Sequence, residues 1–185
     1  MLNKFHQLAT ARNVIIFLLL DFIMMSLVMP QVARKLQSYA SGIKPIDLEI
    51  PTYSTDRAYE ILSAYNAEAL NYYKNIELSV DIIYPIIYGL AFALTIAFLW
   101  TRILPNKNWV RWLPLIPLKG MLFDFAENIG IIFIINQLPA RANGLTSVTA
   151  IFSLLKWSLD FLAIGLILVG FVVWIRKSKL RKTSP

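Results

Sequence analysis

Six ionisable side chains lie inside long apolar stretches of this chain: Asp21, Asp81, Asp124, Glu127, Lys156 and Asp160. A charged side chain at the centre of a bilayer costs about 2.5–3.5 kcal/mol, so such groups are expected to point into a protein interior. Because one lysine accompanies several acids, at least one carboxyl is predicted to hold a proton. A neutral carboxyl beside an ionised one suits general acid–base catalysis, and it suits a proton relay equally well.

Helical spacing gathers these groups on three polar faces. Asp124, Glu127 and Asn128 stand at i, i+3 and i+4, which places them on one side of a helix. Two further sets follow the same spacing, Ser153, Lys156, Trp157 and Asp160 in one, and Glu77, Asp81, Tyr84 and Tyr88 in the other. We therefore predict that three helices turn polar faces towards one shared site.

The predicted roles follow from chemistry and depth. Asp124, Glu127 and Asp160 are the candidate catalytic groups that handle protons. The predicted ligand-binding residues are Asn128, Tyr84, Tyr88, Lys156, Asp81, Asp21 and Trp157. Taken alone, Glu77 and Asp81 are expected to be interfacial and solvated. A purely structural alternative has Lys156 and Asp160 neutralise each other one helical turn apart, with Asn128 and Tyr84 joining helices.

Several chemistries are excluded by composition. The chain has no cysteine, so a disulfide, a dithiol relay and a thiolate metal site are ruled out. Its single histidine, His6, precedes the first apolar stretch and is expected to be a solvated terminal residue. Magnesium or manganese ligation by Asp124, Glu127 and Asp160 is an alternative. We predict no metal and no other cofactor, since no phosphate loop, nucleophile elbow or dinucleotide fingerprint occurs.

The elements that position these residues are predicted to be membrane spans. The chain is 57% hydrophobic with a mean hydropathy of +0.59, which is too apolar for a water-soluble domain of 185 residues. Four stretches reach the ~20 residues that a helix needs to cross a bilayer: Asn13–Met29, Val80–Trp100, Leu113–Leu138 and Ser147–Trp174. The predicted fold is an all-α integral membrane four-helix bundle, forming a single domain over residues 1–185.

Orientation is predicted from the basic residues, which lie before the first span, between the second and third, and after the fourth: Lys4, Arg12, Arg102, Lys107, Arg111, Arg176, Lys177, Lys179, Arg181 and Lys182. Both termini are therefore expected in the cytoplasm, with the chain in a bacterial inner (plasma) membrane. The net charge of +7 indicates topology and contact with anionic lipids, not nucleic-acid binding. A cleaved signal peptide ending near Ala40 is a weaker alternative, because the first apolar run is long enough to span.

The segment between the first two spans, about residues 31–79, is predicted to lie outside the membrane. Ser54 or Thr55 is expected to cap a helix that is broken near Asn66 and that lies either across the outer mouth of the bundle or on the membrane surface. This helix is a packing cover in one interpretation and a substrate lid in another. Pro30 is expected to close the first span, and Pro85 to kink the second.

The motifs Asp81-x-x-Tyr84-Pro85-x-x-Tyr88-Gly89 and Asp124-x-x-Glu127-Asn128 carry a family resemblance. Over about residues 53–130 the chain resembles an uncharacterised family of bacterial membrane proteins with four spans. It is more faintly similar to the four-helix membrane fold of sterol isomerases and sigma receptors, which also places acids in a bundle pocket. The chain lacks the histidine that accompanies those acids in the isomerases, so the resemblance implies a fold and a pocket, not isomerase activity.

Three functions remain open at this point. The first is a membrane protein whose carboxyl-rich pocket binds a lipid or another hydrophobic small molecule, with or without acid–base chemistry. The second is proton- or ion-coupled transport, in a homo-oligomer because four spans alone rarely enclose a pathway. The third is an accessory subunit whose acids bind partner helices. Membrane lipids are predicted partners in each case.

Overall fold

The computed structural model describes residues 2–39 and 42–183, and this part of the chain is built from α-helices and turns. The helices are α1 (Leu2–Leu8), α2 (Ala11–Ile23), α3 (Met29–Ser38), α4 (Thr55–Ser63), α5 (Ala67–Glu77), α6 (Val80–Ile103), α7 (Leu115–Gln137) and α8 (Asn143–Thr183). A π-helical turn, Met24–Val28, joins α2 to α3, and two 3-10 turns lie at Ile46–Leu48 and Asn108–Trp112. The predicted all-α class is confirmed.

Three helical stretches are long and apolar enough to cross a membrane: Ala11–Ser38, Ala67–Ile103 and Asn143–Lys179. Large apolar side chains along them are exposed, among them Phe22 at 67% and Leu168 at 62%, as expected for surfaces that face lipid. The third predicted span, Leu113–Leu138, forms helix α7, but its polar residues keep it outside that apolar set. The chain therefore has the character of a multi-pass membrane protein.

The prediction that Pro30 closes the first helix was wrong. The π turn ends with the Met29 N–H bonded to the Met24 carbonyl, and Pro30 then occupies the first turn of α3. Proline is tolerated there because the first turn of a helix does not use its N–H groups for internal bonds. Helix α3 consequently continues to Ser38, eight residues beyond the proline.

The predicted outer helix exists and is broken where expected. The Ser54 side chain caps α4 by accepting from the Arg57 N–H, and Asn66 caps α5 by accepting from the Ala69 N–H. Their apolar faces pack on the last turns of α7 and the first turns of α8. The buried cluster that results consists of Leu36, Ile46, Tyr53, Ala58, Tyr59, Ile61, Leu62, Tyr65, Ala69, Tyr73, Ile131, Ile134, Ile135 and Ala150. This segment therefore covers one end of the bundle.

Contacts at the opposite end join the start of the chain to the end of α6 and α8. His6 Nε2 lies 3.2 Å from the carbonyl oxygen of Arg111, so this histidine rests against the α6–α7 connection and is not freely solvated. Lys177 Nζ donates to the Ile103 carbonyl at 2.7 Å, which places a cation on the last turn of α6. Since α6 and α8 both end here, α7 runs antiparallel to them.

Candidate functional site

Glycines allow α7 to approach its neighbours closely at the level of the polar residues. A Cβ atom added to Gly120 would lie 2.5 Å from Oδ1 of Asp160, and one added to Gly130 would collide with the Thr149 side chain. Small residues at such crossings bring backbones together in membrane bundles. The carboxyl of Asp160 is therefore pressed against α7 instead of facing lipid.

The polar faces of α6, α7 and α8 enclose a cavity of about 210 Å³, which we call the acidic chamber. Its carboxyl groups come from α2, the Ile46–Leu48 turn, α6, α7 and α8. The lining residues are Asp21, Met25, Met29, Asp47, Leu48, Asp81, Tyr84, Tyr88, Phe92, Asp124, Asn128, Lys156, Trp157, Asp160 and Ile164. The three predicted polar faces therefore meet at one site, the acidic chamber.

Lys156 holds two of the acids together. Its Nζ lies 2.5 Å from Glu127 Oε2 and 3.6 Å from Asp124 Oδ1. All three side chains are buried, and the fully buried Glu127 lies behind the lysine, outside the chamber lining. Tyr88 donates its hydroxyl to the other oxygen of Asp124 at 2.8 Å. Lys156 therefore neutralises charge on α7, and the alternative in which it pairs with Asp160 on its own helix was wrong.

The structure places nine of the ten predicted site residues in the chamber wall, all except Glu127. Asn128 contributes by holding helices together, because its Nδ2 donates to the Asp81 carbonyl oxygen at 2.8 Å. The expectation that Glu77 and Asp81 are solvated was wrong, since they are 1% and 8% exposed. They were judged by their depth in the span, whereas Glu77 ends α5 and α5 packs against α6 at that end. The catalytic and ligand-binding roles stay predictions.

Asp47 is a chamber residue that the sequence reasoning missed. It lies in the Ile46–Leu48 turn, and its Oδ1 accepts the hydroxyl proton of Tyr73. Burial raises the pKa of the Asp47 carboxyl above its ordinary value, while the Lys156 charge and the Tyr73 hydrogen bond act in the opposite direction. A loop residue has no helical periodicity to reveal it. The one sequence signal for Asp47 was its position between two apolar residues, Ile46 and Leu48, in a segment that begins directly after Pro45.

Buried carboxyl oxygens without a hydrogen-bond partner recur around this chamber. Asp21 Oδ1, Asp160 Oδ1 and both oxygens of Glu77 have none within the described residues. Glu127 Oε1 has none either, whereas Glu127 Oε2 is engaged by the Lys156 ammonium at 2.5 Å. A buried acceptor left unpaired costs about 1–3 kcal/mol, so these oxygens need protons or a guest that donates.

A second cavity of about 320 Å³, the apolar chamber, adjoins the first between α3 and the α5–α6 pair. The two cavities share Met25, Met29, Asp47, Leu48, Asp81, Tyr84 and Trp157 in their walls. The remaining lining of the apolar chamber is Pro30, Val32, Ala33, Leu36, Pro45, Tyr73 and Ile76. A polar compartment and an apolar one therefore lie side by side and share seven wall residues.

Within residues 2–39 and 42–183, no group of three or more histidine or acidic side chains has the geometry to hold a metal ion. The acids surround the chamber instead of converging on one point. No protein-family model, curated protein or solved structure matches the chain. The arguments for its function therefore come from the site.

Proposed function

We propose that this chain is a four-span protein of the bacterial inner membrane that binds a lipid or another hydrophobic small molecule in its two adjoining chambers. The observation that carries this function is that the acidic chamber lies directly beside the apolar one and shares seven wall residues with it. Ligand pockets combine an apolar lining with a few convergent polar groups, and they measure about 300–1,000 Å³. An amphiphile fits this layout, with its head among the carboxyls and its tail beside α3.

Helix α7 serves as the fourth span in this function. Its 23 residues extend about 35 Å, which exceeds the ~30 Å hydrocarbon core. It runs beside α6 and α8, and its ionisable Asp124 and Glu127 are buried among them instead of facing lipid. A span whose acidic residues face the bundle interior escapes a hydropathy criterion and still crosses a membrane.

The helical stretch Ala11–Ser38 offers a lateral route from the bilayer into the chambers. Only 6% of the most apolar window of Ala11–Ser38 is buried, against 56% for Ala67–Ile103. Its π turn contributes Met25 to both chambers, and π turns are frequent at functional sites. A weakly packed helix next to a cavity can move aside at low cost. Tight packing of Leu94, Ile96 and Ala97 further along α6 favours a binding pocket over a through pathway.

The experiment is mass spectrometry of what co-purifies with the full chain in mild detergent. Ala33→Phe places a phenyl ring in the apolar chamber wall, and Leu168→Phe places the same ring on an exposed face of α8. We expect the wild type and Leu168→Phe to retain the same hydrophobic molecule, and Ala33→Phe to lose most of it. Equal retention by both variants, or no retained molecule after lipid-matched reconstitution, would contradict the function.

A further inference from the structure

Acidic side chains far outnumber basic ones around the acidic chamber. Seven of the eleven acidic residues line the chambers or lie directly behind their walls: Asp21, Asp47, Glu77, Asp81, Asp124, Glu127 and Asp160. Lys156 is the one basic residue in either lining. Its ammonium is already engaged by Glu127 and Asp124. Acids on the other walls therefore face the cavity without a cation from the described part of the chain.

Asp160 carries the clearest unsatisfied acceptor in the chamber. The residue is 9% exposed, lines the chamber, and has an Oδ1 atom with no hydrogen-bond partner among the described residues. Asp21, which lines the same chamber, also has a buried and unpartnered Oδ1 atom. Two such acceptors on α8 and α2 can be satisfied together by one group that carries several N–H donors.

From these observations we infer that the guest is an amphiphile with a protonated primary amine as its head and no phosphate or carboxylate. This inference rests on the proposed function and specifies the ligand of that same site. An ammonium group carries three donors, enough for the two unpartnered chamber oxygens, and its positive charge is opposite to that of a carboxylate. An anionic head would meet like charges in a chamber where water screens them poorly.

The aromatic wall of the chamber supports the same head group. Tyr84, Tyr88, Phe92 and Trp157 all line it. The faces of aromatic rings attract cations, by about 0.5–2 kcal/mol depending on how far the cation is desolvated. An alkyl chain attached to the ammonium then passes Met25 and Met29, which line both cavities, into the apolar chamber. Methionine side chains adapt their shape to such a chain.

The test compares four probes with one tail length: dodecylamine, dodecyltrimethylammonium, dodecanol and laurate. Their affinities for the full purified chain are measured at neutral pH by isothermal titration calorimetry below micelle-forming concentrations. We expect dodecylamine to bind at least about ten-fold more tightly than dodecanol, with laurate the weakest of the four. The quaternary ammonium keeps the charge but loses the N–H donors, so it should fall between the amine and the alcohol.

Two chamber variants and one control identify the site. Asp160→Asn and Asp21→Asn each remove one unpartnered carboxylate and should reduce the preference for amine over alcohol by about five-fold or more, with dodecanol affinity kept. Glu60→Gln, on the exposed face of α4, should leave the preference unchanged. Equal or tighter binding of dodecanol or laurate, or an unchanged preference in both chamber variants, would overturn the inference and leave the proposed function standing. If none of the four probes binds, the proposed function itself fails.

Discussion

Asn128 on α7 donates a hydrogen bond from Nδ2 to the backbone carbonyl oxygen of Asp81 on α6, at 2.8 Å. In an uninterrupted α-helix this carbonyl accepts from the N–H four residues later. That residue is Pro85, which has no N–H. The Asn128 amide therefore satisfies the acceptor that the proline leaves free, and it fixes α7 against α6 beside the acidic chamber.

Asn128→Ala should destabilise the chain because the Asp81 carbonyl loses its donor in a buried place. We expect a loss of about 1–3 kcal/mol in the free energy of unfolding, measured by denaturant titration in detergent. In the Pro85→Ala background the restored N–H can serve the same carbonyl, so Asn128→Ala should cost at least about 1 kcal/mol less there. Asn106→Ala, in the exposed α6–α7 connection, is the control. Identical costs in the two backgrounds would mean that the two residues do not share this acceptor.

The polar site could be predicted from sequence because its residues repeat with helical periodicity. Asp124 and Asn128 must lie on one face of a helix, and so must Lys156 and Asp160, whatever the tertiary structure is. The cost of exposing them to lipid then requires those faces to meet. The capped break at Asn66 was equally local, since one side chain and its neighbouring N–H groups determine it.

Features that depend on distant packing were not predictable in this way. Asp47 reaches the chamber only because a 3-10 turn folds back over the bundle, and no periodicity marks such a turn. The burial of Glu77 depends on the cover formed by neighbouring segments of the chain. Helix α3 continued through Pro30 because the preceding turn widened to a π turn, which neither composition nor proline position indicates.

The orientation of the chain can be tested with introduced cysteines, because the native sequence contains none. Ser63, at the end of α4, and Asn106, in the α6–α7 connection, are both exposed and lie at opposite ends of the bundle. In intact cells a membrane-impermeant maleimide should label Ser63→Cys and leave Asn106→Cys unlabelled until the membrane is opened. The reverse pattern would invert the predicted topology, and labelling of both sites in sealed cells would contradict a span between them.

The raised pKa of Asp47 predicts a specific dependence of stability on pH. Between the ordinary value of 3.8 and the higher folded value, the folded chain binds more protons at this site than the unfolded chain. The contribution of Asp47 to stability is therefore fully present below the unfolded pKa, and it is lost as pH rises through the folded pKa.

Asp47→Asn removes this titration while its side-chain oxygen can still accept from Tyr73. Relative to the wild type, the variant should gain thermal stability progressively as the pH is raised from about 4 to about 8. The measurement is the difference between the two melting temperatures in detergent across that range. A difference that stays constant with pH, or one that grows as the pH falls, would show that Asp47 titrates at its ordinary value or below it in the folded chain.

The ammonium of Lys156 is the counter-charge for two buried acids, so its removal should be costly. Lys156→Met leaves Glu127 and Asp124 without a cation, and breaking a buried pair in this way costs about 3–5 kcal/mol. Adding Glu127→Gln removes the nearer charge, and this double variant should recover most of the lost stability. Lys119→Met, an exposed lysine on α7, is the matched control and should change little. The measurement is the free energy of unfolding of the wild type, the two single variants and the double variant. If the double variant is as unstable as Lys156→Met, the lysine contributes through its packing and not through the attraction between its charge and Glu127.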